Sequence, residues 1–177
     1  MLLLKEVPQY EFLLERAKRC PELDPSAMEA FLHLLRTGSD LFEAFGRVMA
    51  GHAISQGRFI VLILLNRDPA KPVNLADLAD RANVTRATMT GLIDTLERDG
   101  FVKREHVPDD RRMMLVRLTA EGRSFLERLL PDYFRRIAAV MSRLTEAERK
   151  TLVVLMGKIE QAVPEILVDP QARAPEA

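Results

Sequence analysis

The apolar spacing of this chain changes once in its middle third, and the change falls at Gly100. Before it the period is about 3.6. Leu75, Leu78, Ala79 and Ala82 form one short helical stripe, and Met89, Leu92, Ile93 and Leu96 form a second. Asn74 and Thr85 stand where N-caps belong, because their side-chain oxygens can accept from the free N–H groups of a first helical turn. Asn83-Val84 leaves room only for a tight connection, and Gly100 occupies the position of a left-handed residue after a helix. Beyond Gly100 the period drops to about 2, which predicts strands over 101–106 and 113–118. Residues 107–111 join them with Pro and Asp as turn formers. Neither helix is long enough to be stable alone. Helix, turn, helix and hairpin in this order predict a winged helix-turn-helix lobe.

The flanks read as helix. Tyr10, Leu13, Leu14 and Ala17 make an amphipathic stripe over 9–19, which Cys20-Pro21 ends. Asp24-Pro25 is a cap followed by a preorganised first residue, and opens a helix to about Ala50. That helix carries one stripe of Met28, Phe31, Leu32, Leu35, Phe42, Phe45 and Met49, and another of Leu34, Leu41 and Val48. Two stripes predict burial on two sides, against its own body and against a partner. Gly38 and Gly46 mark close packing or a bend. For the apolar run 59–65, periodicity alone does not separate buried helix from buried strand, and its β-branched residues lean slightly towards strand. Residues 68–72 form a loop. Thr119 opens a helix towards Leu144, with Pro131 a kink or break. Thr145-Glu-Ala-Glu148 is a capping box for a last helix with Leu152, Leu155, Met156, Ile159 and Val163 on its stripe. The expected class is mainly α with a small β-wing. The division is 1–23 as an N-terminal extension, 24–66 with 120–168 as a helical dimerisation region, 67–119 as the winged lobe, and 169–177 as a frayed tail.

Composition removes alternatives. Cys20 is the one cysteine, so a disulfide framework or a cysteine-rich zinc site is excluded. His33, His52 and His106 are scattered, and no metal or cofactor is expected. The longest apolar run is far short of a membrane span, and the N-terminus lacks the parts of a signal peptide, which gives a cytoplasmic expectation. No Gly-rich phosphate loop, His-Glu-x-x-His or Cys/His pair points to an enzyme. The charge balance is 26 Lys+Arg against 26 Asp+Glu. Even the stretch 81–117 holds eight basic residues against six acidic, a net of +2. Polybasic binding is therefore not available, and any nucleic-acid recognition must rest on placement.

Placement suits duplex DNA. Thr85, Arg86, Thr88, Thr90 and Gly91 open the second helix. Small residues let a helix end approach closely, its N–H groups favour phosphate, and arginine can donate two hydrogen bonds to a guanine edge. Arg86 is the candidate base reader, Thr88 and Thr90 are candidate phosphate or base contacts, and Thr85 reads more as a cap. The hairpin tip carries Asp109, Asp110, Arg111 and Arg112. A tip arginine can enter the narrow minor groove, and a neighbouring carboxylate can orient it. Lys103, Arg104, Arg111 and Arg117 are further candidates for phosphate. A winged helix can also serve as a protein-interaction scaffold without sequence-specific DNA binding, and that alternative stays open.

Leu75-Ala-Asp-Leu-Ala79, Thr85-Arg-Ala-Thr-Met-Thr90, Leu96-Glu-Arg-Asp-Gly100-Phe-Val-Lys-Arg104 and Asp110-Arg-Arg112, continuing through Val116-Arg-Leu-Thr119-Ala-Glu-Gly122, resemble the multiple antibiotic resistance regulator (MarR) family of transcription factors. The wing pattern Asp-x-Arg-x-x-x-Val-x-Leu-Thr-x-x-Gly is matched from Asp110 to Gly122. The resemblance implies a homodimer on a pseudo-palindromic operator, with Arg112 in the minor groove oriented by Asp110. It implies a helix for 59–65. It also implies repression relieved by a small ligand, often a phenolic or other aromatic acid. Met49, His52 and Arg58 lie near the junction where the family places its pocket. Cys20 lies well upstream of the reactive cysteine of peroxide-sensing members, whose equivalent falls near Phe31. The extra helix at 9–19 resembles the urate-responsive branch, but the tryptophan of that branch is missing.

Overall fold

The structure, a computed structural model, describes residues 6–69, 71–107 and 110–168, with the side chains of 106, 107 and 110–113 outside the description. The tail 169–177 falls outside it as well, and so does the expectation placed there. Seven α-helices and three short strands are present among the described residues. They are α1 (Tyr10–Ala17), α2 (Pro25–Gly51), α3 (Gln56–Asn66), β1 (Val73–Asn74), α4 (Leu75–Arg81), α5 (Arg86–Arg98), β2 (Val102–Val107), β3 (Asp110–Leu118), α6 (Ala120–Met141) and α7 (Glu146–Ala162). A 3₁₀ turn, Val163–Leu167, follows α7. No single described helix is long and apolar enough to cross a membrane.

Caps explain the helix starts. The Asp24 carboxylate accepts from the Ser26 and Ala27 N–H groups, Ser55 from Arg58, Asn74 from Ala76 and Thr85 from Thr88. Each satisfies N–H groups that a first turn leaves open. Three helices end in one way. After α2, α4 and α5 the chain passes through a positive φ at Ala53 (57°), Asn83 (51°) and Gly100 (77°). The N–H groups of Ile54, Val84 and Phe101 then reach back to the carbonyls of Met49, Ala79 and Leu96. This is the Schellman closure. Gly100 takes the left-handed geometry freely, whereas Ala53 holds it against its Cβ.

The run at 59–65 is helical. Phe59, Val61, Leu62, Leu64 and Leu65 of α3 are all buried, so α3 is covered on most of its circumference and its residues follow no amphipathic stripe. Around it lie Leu78, Ala79, Met89, Ile93, Leu96, Val102, Val116 and Leu118, which complete the core of the winged lobe. The sheet is antiparallel in the order β1-β3-β2. β2 and β3 pair from Val102 with Leu118 through His106 with Met114, with an irregularity between His106 and Val107. The third strand was not expected. Val73 and Asn74 pair with Val116 and Leu115, and two residues are too few to show a period.

The chain divides into two compact units, 1–126 and 127–177, with the boundary inside α6. In the first, α2 buries only Met49, and Phe31 and Phe42 remain exposed. Within the chain, a Cβ at Gly38 of α2 would meet nothing within 4 Å, and one at Gly46 only Gln56 Oε1 at 3.8 Å. In the second, α6 continues through Pro131 without a break and ends at Met141, short of the expected Leu144. The capping box of α7 forms as its sequence predicts. The helix itself buries no residue, and Val153, Val154, Leu155, Met156 and Ile159 are exposed.

Candidate nucleic-acid interface

Helix α5 divides lengthwise into an open start and a held end. Met89, Ile93 and Leu96 anchor its inner face. At the start, Arg86, Thr88, Thr90 and Gly91 are exposed, and the first turn contains no acidic residue. The Arg86 side chain makes no hydrogen bond or ion pair among the described residues. A Cβ on Gly91 would meet nothing within 4 Å. The hydroxyls are partly committed. Thr85 Oγ1 accepts from the Thr88 N–H at 3.1 Å and lies 2.9 Å from Thr88 Oγ1. Thr90 donates to the Arg86 carbonyl at 2.9 Å, which leaves its oxygen available only as an acceptor. Thr85 is thus the cap that the sequence predicts.

The end of α5 carries three carboxylates, and two arginines hold them. Arg104 of β2 pairs through Nη1 with Glu97 at 2.7 Å and through Nη2 with Asp94 at 2.5 Å. Its backbone N–H donates to the same Glu97 at 2.8 Å. Burial alone would lower the Arg104 pKa, but the bonds and charges of Asp94 and Glu97 outweigh it and raise it. Both terminal nitrogens of Arg104 are thus engaged within the chain and tie the wing to the helix. Arg58 pairs with Asp99 at 3.0 Å. On the hairpin, Glu105 sits between Lys103 at 2.8 Å and Arg117 at 3.2 Å. The Lys103 ammonium, opposed by partial desolvation and helped by the Arg117 charge, holds the Glu105 carboxyl below its usual value. Asp110, Arg111 and Arg112 open β3, and their side chains lie outside the described residues.

The wing is fixed to the next helix at its base, where Thr119 and Arg123 reach back to backbone carbonyls. Thr119 Oγ1 lies 2.7 Å from the Gly100 carbonyl and 3.0 Å from that of Phe101, and accepts from the Gly122 N–H at 3.0 Å. A Cβ on Gly122 would collide with the Phe101 carbonyl and the Leu118 side chain. Only glycine lets α6 begin this close to the base of the hairpin. The rings of Phe101 and Phe125 stack at 4.6 Å beside it.

The predicted ligand residues gather at the α2–α3 turn, where the His52 N–H reaches the Met49 carbonyl and Arg58 the Ala53 carbonyl. Met49 is closed into the core, Arg58 is committed to Asp99, and His52 caps α2 half-buried. None of the three lines the large groove beside them. That groove, about 790 Å³, runs along α2 between Gly38 and Ala50 and ends at Gln56. Phe42, Glu43 and Arg47 furnish its larger side chains, and Gly38 and Gly46 leave its floor open. A second cavity of about 440 Å³ lies by β1 and carries Arg67, Lys71 and Arg81 together with Asp68 and Asp77. Sequence reasoning found neither, because a groove depends on which residues share a face across elements.

Comparison with known proteins places this geometry. The MarR family model matches residues 54–114, from the end of the α2–α3 turn to the middle of β3. The HTH-type transcriptional repressor YetL of Bacillus subtilis (strain 168) is 36% identical over 156 residues, 88% of this chain and 93% of YetL. Among solved structures, the MarR family transcriptional regulator Sco3205 of Streptomyces coelicolor in complex with DNA superposes with a TM-score of 0.72 at 27% identity, covering 86% of this chain and 94% of that one. BpsR of Bordetella bronchiseptica, whose DNA binding is regulated by 6-hydroxynicotinic acid, superposes with a TM-score of 0.63 at 29% identity over 72% and 96% of the two chains.

Proposed function

Because the chain belongs to the MarR family of transcriptional regulators, and is not an enzyme, we propose that it is a homodimeric, sequence-specific repressor of double-stranded DNA that a small aromatic ligand releases. The observation that carries the reading is the asymmetry of α5. Its acids are neutralised at one end, and at the other Arg86 and an acid-free first turn stand open to a major groove. Arg86 is the base reader, with Thr88, the Thr90 oxygen and Gly91 close to the backbone. Arg112, oriented by Asp110, reads the minor groove, and Arg111 takes phosphate. Arg104 is left out of the contact set because Asp94 and Glu97 hold it.

Two further features support the assembly and its control. The uncovered apolar residues of α7 and α2 are of the kind a second copy buries, which supports the dimer and a pseudo-palindromic operator. The α2 groove has the size and mixed lining of a small-molecule site, with Phe42 as apolar wall and Arg47 and Gln56 as polar groups for an acid. The work of such a regulator on chromosomal DNA puts it in the cytoplasm.

Selection of duplexes from random sequence by the purified protein tests the reading. An imperfect palindrome with half-sites about one turn apart is expected. Enrichment of no motif would instead favour the interaction-scaffold reading. Release of the selected duplex by a panel of aromatic acids tests the ligand arm. With few positioned cations, the salt dependence of binding is expected to be shallower than that of a polybasic protein. Arg112→Ala should cost on the order of 1–3 kcal/mol of operator binding.

A further inference from the structure

Arg58 is placed as no surface arginine is. Its side chain is 16% exposed, and its Nε is buried with no hydrogen-bond partner among the described residues. One terminal nitrogen, Nη2, lies 3.0 Å from the Asp99 carboxylate and 3.5 Å from the Ala53 carbonyl. Those two partners belong to the ends of two different helices. Ala53 is the left-handed residue that closes α2, and Asp99 is the C-cap of α5.

Each part of this arrangement is locally unfavourable. A carboxylate at a helix C-terminus faces the negative end of the helix dipole. A buried guanidinium with an unsatisfied N–H loses hydration it does not regain. An alanine at positive φ is strained relative to glycine. Three such features on one contact indicate that the contact is kept for geometry rather than for stability. A second contact stands beside it. A Cβ on Gly57 would meet the Leu92 side chain at 3.3 Å, so the first turn of α3 lies directly against α5. The elbow between α2 and α3 is thus held to the recognition helix at Leu92 by packing and at Asp99 by charge.

We propose that Arg58 is a positioning residue through which the α2–α3 elbow sets the pose of the recognition helix for its operator. It touches neither DNA nor ligand. It fixes the far end of α5, and the near end, where Arg86 stands, follows as part of the same rigid helix. Gln56 and Ala50, which line the α2 groove, flank the same elbow. A molecule in that groove would press on the turn whose carbonyl Arg58 holds. This inference rests on the proposed DNA-binding function and adds the route by which the elbow reaches it.

The test uses the full chain, with Arg58→Gln, Arg58→Lys, Asp99→Asn and the double variant Arg58→Gln/Asp99→Asn. Each is titrated with the duplex the wild type selects and with a scrambled duplex of equal length, and amide exchange over 94–101 is followed without DNA. Arg58→Gln and Asp99→Asn should each weaken operator binding about tenfold while scrambled-duplex binding holds and amide exchange rises. The double variant should be no worse than either single one, because both remove one interaction. Arg58→Lys should recover part of the loss, since its ammonium can still pair with Asp99. Asp99→Asn alters a partly exposed side chain, so it decides the matter if Arg58→Gln does not fold. Wild-type operator affinity in folded Asp99→Asn, additive losses in the double variant, or equal losses on both duplexes would overturn the proposal. If the wild type selects no sequence, the DNA-binding reading fails by itself, and unchanged amide exchange in the variants would then overturn the anchor as well.

Discussion

Helices α5 and α7 begin alike and end in opposite circumstances. Each opens on a threonine whose hydroxyl accepts from the N–H three residues on, Thr85 from Thr88 and Thr145 from Glu148. At that third position the two sequences part. Glu148 turns back to the Thr145 N–H at 2.7 Å and closes the turn upon itself, whereas Thr88 carries no charge. The start of α7 is complete, and the start of α5 keeps its positive end for an outside anion. Burial parts them the other way. Met89, Ile93 and Leu96 of α5 are fully enclosed within the chain, and α7 encloses nothing. The recognition helix therefore has its packing but no electrostatic partner at its first turn, while α7 has that partner and lacks packing. The partners implied are DNA for the first and an apolar protein surface for the second.

The strongest way to break this contrast is to charge the bare face of α7. Leu155→Glu with Ile159→Glu should leave the winged lobe folded and the protein monomeric in sedimentation. Without a second lobe tied to it, operator affinity should fall by roughly 10²–10⁴-fold, the range that a lost linked site commands. A dimer that survives the double substitution would place the interface elsewhere. Next in size is Gly122→Ala, which acts on the enclosed side of the contrast. The added methyl meets a backbone carbonyl that has no rotamer to move, so unfolding free energy should drop by about 1–3 kcal/mol or more. A thermal midpoint equal to wild type would mean that the base of the wing yields. Arg86→Ala acts on the open side. It should cost about 1–3 kcal/mol of discrimination at one base position and leave thermal stability unchanged, because the side chain has no partner among the described residues.

Much of this architecture was legible because caps and periods are local. Asn74, Thr85, Thr145 and Gly100 marked their helix ends from neighbouring residues alone, and each closure acts within about one turn. The run at 59–65 was ambiguous because α3 is enclosed on most sides, which erases the stripe that periodicity detects. The exposure of Arg86 was legible because it follows from position at the helix start. The site was not legible where a side chain's role depends on what crosses from another element. Arg104 looked like one more wing cation, yet its partners Glu97 and Asp94 sit a full helix end away, across the turn at Gly100. Arg58 lies beside the elbow in sequence, but its pairing with Asp99 of α5 depends on how α3 packs across the lobe. Sequence neighbours on a helix point in different directions, and only the assembled lobe decides which of them meet.

The smallest effect separates the two helix starts by pH. The backbone N–H of Thr145, and then its hydroxyl, hold the Glu148 carboxyl below the usual glutamate value. A folded-state pKa below the unfolded one means that the ionised group stabilises the fold. That contribution is complete above the unfolded value of about 4.3 and disappears as pH falls through the lower folded value. Glu148→Gln keeps an amide oxygen able to accept from the Thr145 N–H but does not titrate. Wild type should therefore be more stable than Glu148→Gln from neutral pH down to about 5, and the gap should close between about 5 and 3. Thermal melts of the two proteins across that range measure the difference directly. Thr88→Ala at the equivalent position of α5 should give a stability difference from wild type that is flat over the same range, since no carboxylate closes that turn. A pH-dependent gap at Thr88, or a flat one at Glu148, would show that the two helix starts are not electrostatically distinct.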